Sequence, residues 1–330
     1  MRNKSILAWA VSVSTAFCLG LPVLAGEKED LEKAEGAIKN KDYATALKIL
    51  KPLAEEKKSP EAAFHLGVMY EDGEGVAKDD KEAAKLYQMA SDAGFKHASY
   101  NLALLYAKGH GVPQDFEKAF KLFSIPAEHG GMHAQYNLGM LYLHGQGTKQ
   151  DSNQAFNWFE KSAAQGFPDA QYNLALLYLD GQGVERNDKK AAELFDKLAK
   201  AGHPDAQYNL GVLYLKGEGV PKDGKQAAKL FEQAAEKGHP EAQYNLAVMY
   251  RLGEAGIPKD MNKSLKWLEK SAAGGYPDAQ FNLGMRYEHG DGIKKDHQQA
   301  IAWLKKAAEQ GDRQAEEQLH ANKAAQESRK

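Results

Sequence analysis

Eleven histidines are the obvious candidates for chemistry in this chain. A zinc site needs imidazoles at helical spacing, as in His-Glu-x-x-His, or imidazoles completed by thiolates. The nearest pair, His129 and His133, flanks Gly130-Gly131-Met132, and two glycines there break the helix that would align the rings. His203 and His239 share one position before a proline and read as turn residues. The single cysteine, Cys18, lies in an apolar N-terminal segment and is lost if that segment is removed. The sequence therefore predicts no metal site and calls for no cofactor.

Other chemistry fares no better. Ser99, Ser162 and Ser264 stand inside helical patterns, with no Gly-x-Ser-x-Gly elbow to present a hydroxyl. Neighbouring acids such as Asp79-Asp80 precede a helix, where capping explains them. No carboxylate pair stands out as a glycosidase pair. Six Gly-x-Gly triplets, Gly73-Glu74-Gly75 and Gly217-Glu218-Gly219 among them, share glycine content with phosphate loops. None follows a strand or continues into a Walker or dinucleotide fingerprint, so they read as turns. With 45 acids against 43 bases there is no basic face for a nucleic acid. The expectation is a binding protein, not an enzyme.

The elements that carry these residues repeat. Ala170-Gln171-Tyr172-Asn173-Leu174 recurs at Ala206 and Ala242, with looser copies at Ala62, Ala98, Ala134 and Ala279 and a degenerate one at Ala315. The spacing is 36 residues, once 37. Pro168-Asp169 opens a first helix, Gly181-Gln182-Gly183 ends it, and a second helix is predicted from Asp188 to Lys200 before Gly202. The first helix is apolar on two opposite sides: Ala170, Leu174, Leu177 and Tyr178 on one, Tyr172, Leu176 and Leu179 on the other. One hairpin covers one side only, so neighbours or a ligand must cover the rest.

The recurring alanine, aromatic, leucine, glycine-or-alanine, tyrosine, Gly-x-Gly and Ala-Ala positions resemble the Sel-one-like repeats, relatives of the tetratricopeptide repeats. The resemblance divides the chain into 60–95, 96–131, 132–167, 168–203, 204–239, 240–276 and 277–312. Residues 26–59 read as a tetratricopeptide-like capping hairpin with a tight turn at Asn40-Lys41-Asp42, and 313–330 as a polar capping helix and tail. The resemblance implies an all-α, right-handed superhelical solenoid of stacked helical hairpins. Pro126, inside a second helix, is expected to kink or shorten it. The extra residue in Gly253-Glu254-Ala255-Gly256 is expected to enlarge that loop.

An asparagine follows each aromatic at Asn101, Asn137, Asn173, Asn209, Asn245 and Asn282, with His65 in its place in the first repeat. Asparagine is a poor interior helix residue, so something must compensate at each repeat. Two accounts stand: a hydrogen bond tying one hairpin to the next, or a ligand-facing position in the concave groove, which the resemblance implies. The same resemblance lines that groove with Tyr100, Tyr136, Tyr172, Tyr208, Tyr244 and Phe281, unless these rings fill gaps between hairpins. The last residues of the first helices vary, at Asp72, Lys108, His144, Asp180, Lys216, Leu252 and His289. Of these, Lys108, His144, Asp180, Lys216 and His289 are specificity candidates. At the second helix position the chain has Glu61, Asp169, Asp205, Glu241 and Asp278, where a clamp for acidic tails needs bases. A neutral or basic protein segment is the better partner. Peptidoglycan, another glycan or a hydrolytic role on cell-wall material or a β-lactam are the alternatives.

Arg2 and Lys4, the charge-free run Ile6 to Leu24 and the small residues before Gly26 predict a signal peptide over 1–25, cut after Ala25. Cleavage leaves 41 bases against 45 acids, no cysteine and no segment apolar enough to span a membrane. The expected product is a periplasmic or secreted protein, monomeric because polar segments cap both ends.

Overall fold

A computed structural model describes residues 25–327, and all regular structure among them is helical. Residues 1–24, where all but the last residue of the expected signal peptide 1–25 falls, and the last three residues lie outside the described residues. The capping hairpin is α1 (Ala25–Lys39) and α2 (Tyr43–Glu55). Seven hairpins follow: α3 (Pro60–Asp72) with α4 (Asp80–Asp92), α5 (Lys96–Lys108) with α6 (Phe116–Glu128), and α7 (Met132–His144) with α8 (Ser152–Ala164). Then come α9 (Pro168–Asp180) with α10 (Asp188–Lys200), α11 (Pro204–Lys216) with α12 (Gly224–Glu236), α13 (Pro240–Leu252) with α14 (Met261–Ala273), and α15 (Pro277–His289) with α16 (His297–Glu309). A terminal helix, α17 (Arg313–Glu327), packs on α16.

The helices form two compact units. One ends at Ala170 and takes in Gln182–Val184; the other holds Gln171–Gly181 and the chain from Glu185 onward. Within each, a helix packs on its hairpin partner and on the first helix of the next repeat, as α6 does on α5 and α7, and α12 on α11 and α13. This is the solenoid arrangement that the two-sided first helix demands.

Each unit's core repeats like the sequence. The phase-setting alanines Ala62, Ala98, Ala134, Ala206, Ala242 and Ala279 are buried. The second helices insert Tyr87, Phe123, Phe159, Phe195 and Phe231, all fully buried, and then Leu268 and Leu304. Such a ring contributes about 2–3 kcal/mol in burial. Caps fix the helix starts. Asp115 Oδ1 accepts from Lys118 N, Asp151 Oδ1 from Gln154 N and Asn187 Oδ1 from Lys190 N, each at 3.0 Å. First helices end on a left-handed glycine, such as Gly145 at φ +65°.

The loop between helices closes by one backbone bond, from the second-helix cap to the tyrosine near the end of the first helix: Asp151 N to Tyr142 O is 3.0 Å. The longer sixth loop keeps the equivalent bond, Asp260 N to Tyr250 O at 2.8 Å. The extra residue is absorbed within the loop that this bond closes, with Ala255 at φ +56° and Gly256 at φ +77°. Pro126 does not shorten α6, which keeps the thirteen residues of its counterparts. It sits in the last turn, where the missing N–H costs one bond and Gly131 N recovers its carbonyl at 2.9 Å.

Candidate partner-binding face

The first helices present the Tyr–Asn rows. Asn209 Nδ2 donates to the Tyr172 hydroxyl of the preceding repeat at 3.0 Å and to its own helix at Asp205 O, 2.9 Å away. Asn282 repeats both bonds, to Tyr244 OH at 3.0 Å and Asp278 O at 2.8 Å. Asn137 donates to Tyr100 OH at 3.2 Å. The first repeat has Phe64 in the tyrosine position, without a hydroxyl to take the amide of Asn101. The inter-hairpin bond is therefore real at these asparagines, and it offsets their poor helix propensity.

The tyrosine rings also fill space between hairpins. Tyr100, Tyr172 and Tyr208 pack on Phe123, Phe195 and Phe231 of their own repeats, with ring centroids 5.5, 5.6 and 5.7 Å apart. At the caps of the following first helices Tyr172 stacks on His203 and Tyr208 on His239, at interplanar angles of 22° and 21°. Tyr136 and Asn137 are buried. Tyr100, Asn101, Tyr172, Asn173, Tyr208, Asn209, Tyr244, Asn245, Phe281 and Asn282 are half-buried, so one edge of each row reaches solvent. Burial pushes the Tyr100 phenol up to about 12 and raises those of Tyr172, Tyr208 and Tyr244, with the asparagine bonds acting against it.

Three of these residues, Tyr244, Phe281 and Asn282, come together in a cleft of about 340 Å³ in the second unit, closed by Asp278, Asp312 and Arg313. The acids at the second helix position frame the same face. Asp205 and Glu241 keep 53% and 43% of their side-chain surface exposed, and both lie 3.2 Å from the ring nitrogens of nearly buried His239. Asp278, also exposed, accepts the Tyr276 hydroxyl at 3.0 Å. The varying helix-end residues Lys108, His144, Asp180, Lys216 and His289 are all exposed.

Sequence reasoning missed what the histidines before the prolines do. His203 and His239 cap first helices through Nδ1, which accepts from Ala206 N and Ala242 N at 3.3 Å. Their signal was a base in the slot that Ser59 fills in the first repeat. The serines are occupied: Ser162 Oγ donates to Met132 O at 2.8 Å, Ser264 Oγ to Ala247 O at 2.7 Å, and Ser99 shares a hydrogen with Ser91. His129 closes α6 through Ile125 O while His133 lies in α7, so the two rings serve different helices. Where asparagine stands elsewhere, buried His65 pairs with Glu35 of the capping hairpin at 3.2 Å.

The Sel1 repeat model matches residues 60–95, 96–130, 133–167, 168–203, 204–239, 240–276 and 277–312. The chain belongs to the Sel1 repeat family. Two solved Sel1-type structures resemble it over most of its length. One, from uropathogenic Escherichia coli strains, is c5321, a protective antigen displaying an SLR fold; it is 36% identical with a TM-score of 0.78 over 89% of this chain. This chain spans 64% of that protein. The other is a Sel1 repeat protein from Oxalobacter formigenes, 31% identical with a TM-score of 0.73, covering 89% of this chain and 86% of that one. No curated protein matches. The Sel1 repeats here are thus a scaffold of the protein-interaction type, and among the described residues no helix is long and apolar enough to cross a membrane.

Proposed function

We propose that this protein is an exported scaffold in the bacterial envelope or outside the cell, and that its first-helix face holds a neutral or basic segment of a protein partner. The observation that carries the reading is the acidic, aromatic edge in the second unit. Asp205, Glu241 and Asp278 recur one repeat apart with exposed carboxylates, beside the half-buried Tyr208, Tyr244 and Phe281. Exposed carboxylates steer a basic segment and penalise an acidic one. Aromatic edges supply contact area at low entropic cost. Stacking on His203 and His239 covers one face of Tyr172 and Tyr208, which favours an edge-on peptide contact over a sugar laid flat on the ring. Export is supported by the charge-free segment 6–24. The E. coli relative's description as a protective antigen points the same way, since protection by antibody requires access.

Fluorescence anisotropy with matched peptide sets tests the partner chemistry. Lysine- and arginine-bearing peptides are expected to bind, and Asp205→Asn, Glu241→Gln and Asp278→Asn together to weaken them about tenfold or more at low salt. Equal binding of acidic peptides, or no effect of the triple variant, rejects the reading. Co-sedimentation with purified sacculi that survives the triple variant would favour the glycan alternative. Fractionation of cells expressing the full chain tests export.

A further inference from the structure

Three side chains from two helices meet at the N-terminal end of the first unit. His65 on α3 is 7% exposed, and its Nε2 lies 3.2 Å from Glu35 Oε1 on α1. Glu61 stands one turn before His65 on the same helix face. One ligand atom from each of the three lies within 4.8 Å of the other two. The group is no part of the repeat's frame, because six other repeats have asparagine where His65 stands.

Charge at this place is one-sided. Burial holds the Glu61 carboxyl above its ordinary range, Glu35 and Glu27 add to that, and His65 alone acts against it. Glu35, in turn, is lowered by its hydrogen bond to His65. Two carboxylates thus converge on one buried imidazole, an arrangement that a divalent cation neutralises.

We propose that Glu35, Glu61 and His65 hold a zinc ion that joins the capping hairpin to the first repeat. Zinc takes nitrogen and carboxylate ligands at about 2.0–2.2 Å in a tetrahedron, which sets ligand atoms ~3.3 Å apart. The imidazole and Glu35 already have that separation. The third ligand closes by at most about 1.5 Å at the end of a glutamate side chain, leaving one position for water. The nitrogen ligand selects zinc over magnesium or calcium, which take oxygen. Because α1 supplies one ligand and α3 two, binding requires the capping hairpin to be docked, and the ion stabilises that docking. The inference is independent of the partner-binding face.

Calorimetric titration of the chelator-treated full chain with Zn²⁺ tests it, with Co²⁺ as a visible-absorption reporter of tetrahedral coordination. One ion per chain is expected to bind more tightly than any other, with a rise in melting temperature. His65→Asn installs the residue the other repeats use, so the fold is kept. Affinity for this ion should then fall about 100-fold or more and the zinc-dependent melting shift vanish, since even outer-shell changes cost 10–100-fold. Glu61→Gln leaves the His65–Glu35 pair intact and should weaken binding at least about tenfold, whereas His289→Asn, at an exposed position, should change nothing. Absence of a stoichiometric zinc-binding step, or equal affinity in wild type, His65→Asn and Glu61→Gln, overturns the proposal.

Discussion

The two glycines of one Gly-x-Gly loop should differ sharply in what they tolerate. Gly145 and Gly147 both have positive φ, +65° and +68°. Alanine at either pays the left-handed penalty of about 1–2 kcal/mol. Their surroundings differ. A Cβ on Gly145 would meet Gln150 Cβ at 3.1 Å and its backbone N at 3.2 Å, a tight fit within the same loop that a shift of a few tenths of an ångström relieves. A Cβ on Gly147 would lie 2.0 Å from Phe116 O, at the start of the preceding repeat's second helix. Carbon and carbonyl oxygen approach no closer than about 3.3 Å even in favourable C–H···O contacts. Gly147→Ala must therefore move the loop more than ~1 Å off α6, adding about 1–3 kcal/mol of overpacking strain. The expected cost is about 1–2 kcal/mol for Gly145→Ala and about 2–5 kcal/mol for Gly147→Ala. Urea unfolding followed by circular dichroism gives the difference. Because a repeat array is held by neighbour interfaces, hydrogen exchange should show the excess loss in α6 to α8. Equal costs at the two positions would refute a repeat-to-repeat role for the second glycine.

Further outcomes follow from single groups. Arg286 is 5% exposed, with Nη2 on Ser264 Oγ at 2.7 Å and no hydrogen-bond partner at Nη1. Arg286→Leu, which restores the residue found at Leu105, Leu141, Leu177 and Leu213, should raise stability by about 1–4 kcal/mol; a lower melting temperature would show that the charge is needed. Tyr100 is held neutral by burial up to about 12. Its folded pKa lies above its unfolded one, so its contribution to stability is complete below about pH 10 and lost as pH rises from there through about 12. Ultraviolet titration should accordingly show tyrosinate appearing together with alkaline unfolding, and early ionisation in the native state would contradict the burial. Asp151→Ala removes the cap on Gln154 N and should cost about 1 kcal/mol in thermal unfolding.

The helical frame was legible because capping and periodicity are local. The Pro-acid starts, the glycine stops and the Asp or Asn before each second helix are readable one turn at a time. Partners one repeat away were not. Asn209 meets Tyr172 across 37 residues, and only the stacking geometry says that a neighbouring hydroxyl, rather than a ligand, takes its amide. Gly147 reads as a turn residue for the same reason, since its second constraint comes from Phe116. His203 and His239 were read as turn residues because an imidazole is not the usual helix cap. Arg286 did break the leucine column in the sequence, and its burial beside Ser264 answers a matched change from alanine in the column of Ala227 and Ala300. Pro126 signalled a shortened helix, but its place in the last turn left only one donor to lose.

The extended sixth loop leaves an imprint one repeat earlier. Ala255, half-buried at positive φ in the longer loop, lies so near the start of α12 that a Cβ on Gly224 would come within 2.3 Å of the alanine's own. Insertion and glycine are therefore a matched pair, and neither is neutral without the other. Deleting residue 255 should make alanine acceptable at 224, where it would also make a better first turn for the helix, whereas Ala255→Gly should not, since the Cα and carbonyl oxygen of residue 255 stay 2.6 and 2.9 Å from the added Cβ. Length variation in such a ladder is thus recorded twice, once where it occurs and once on the rung below.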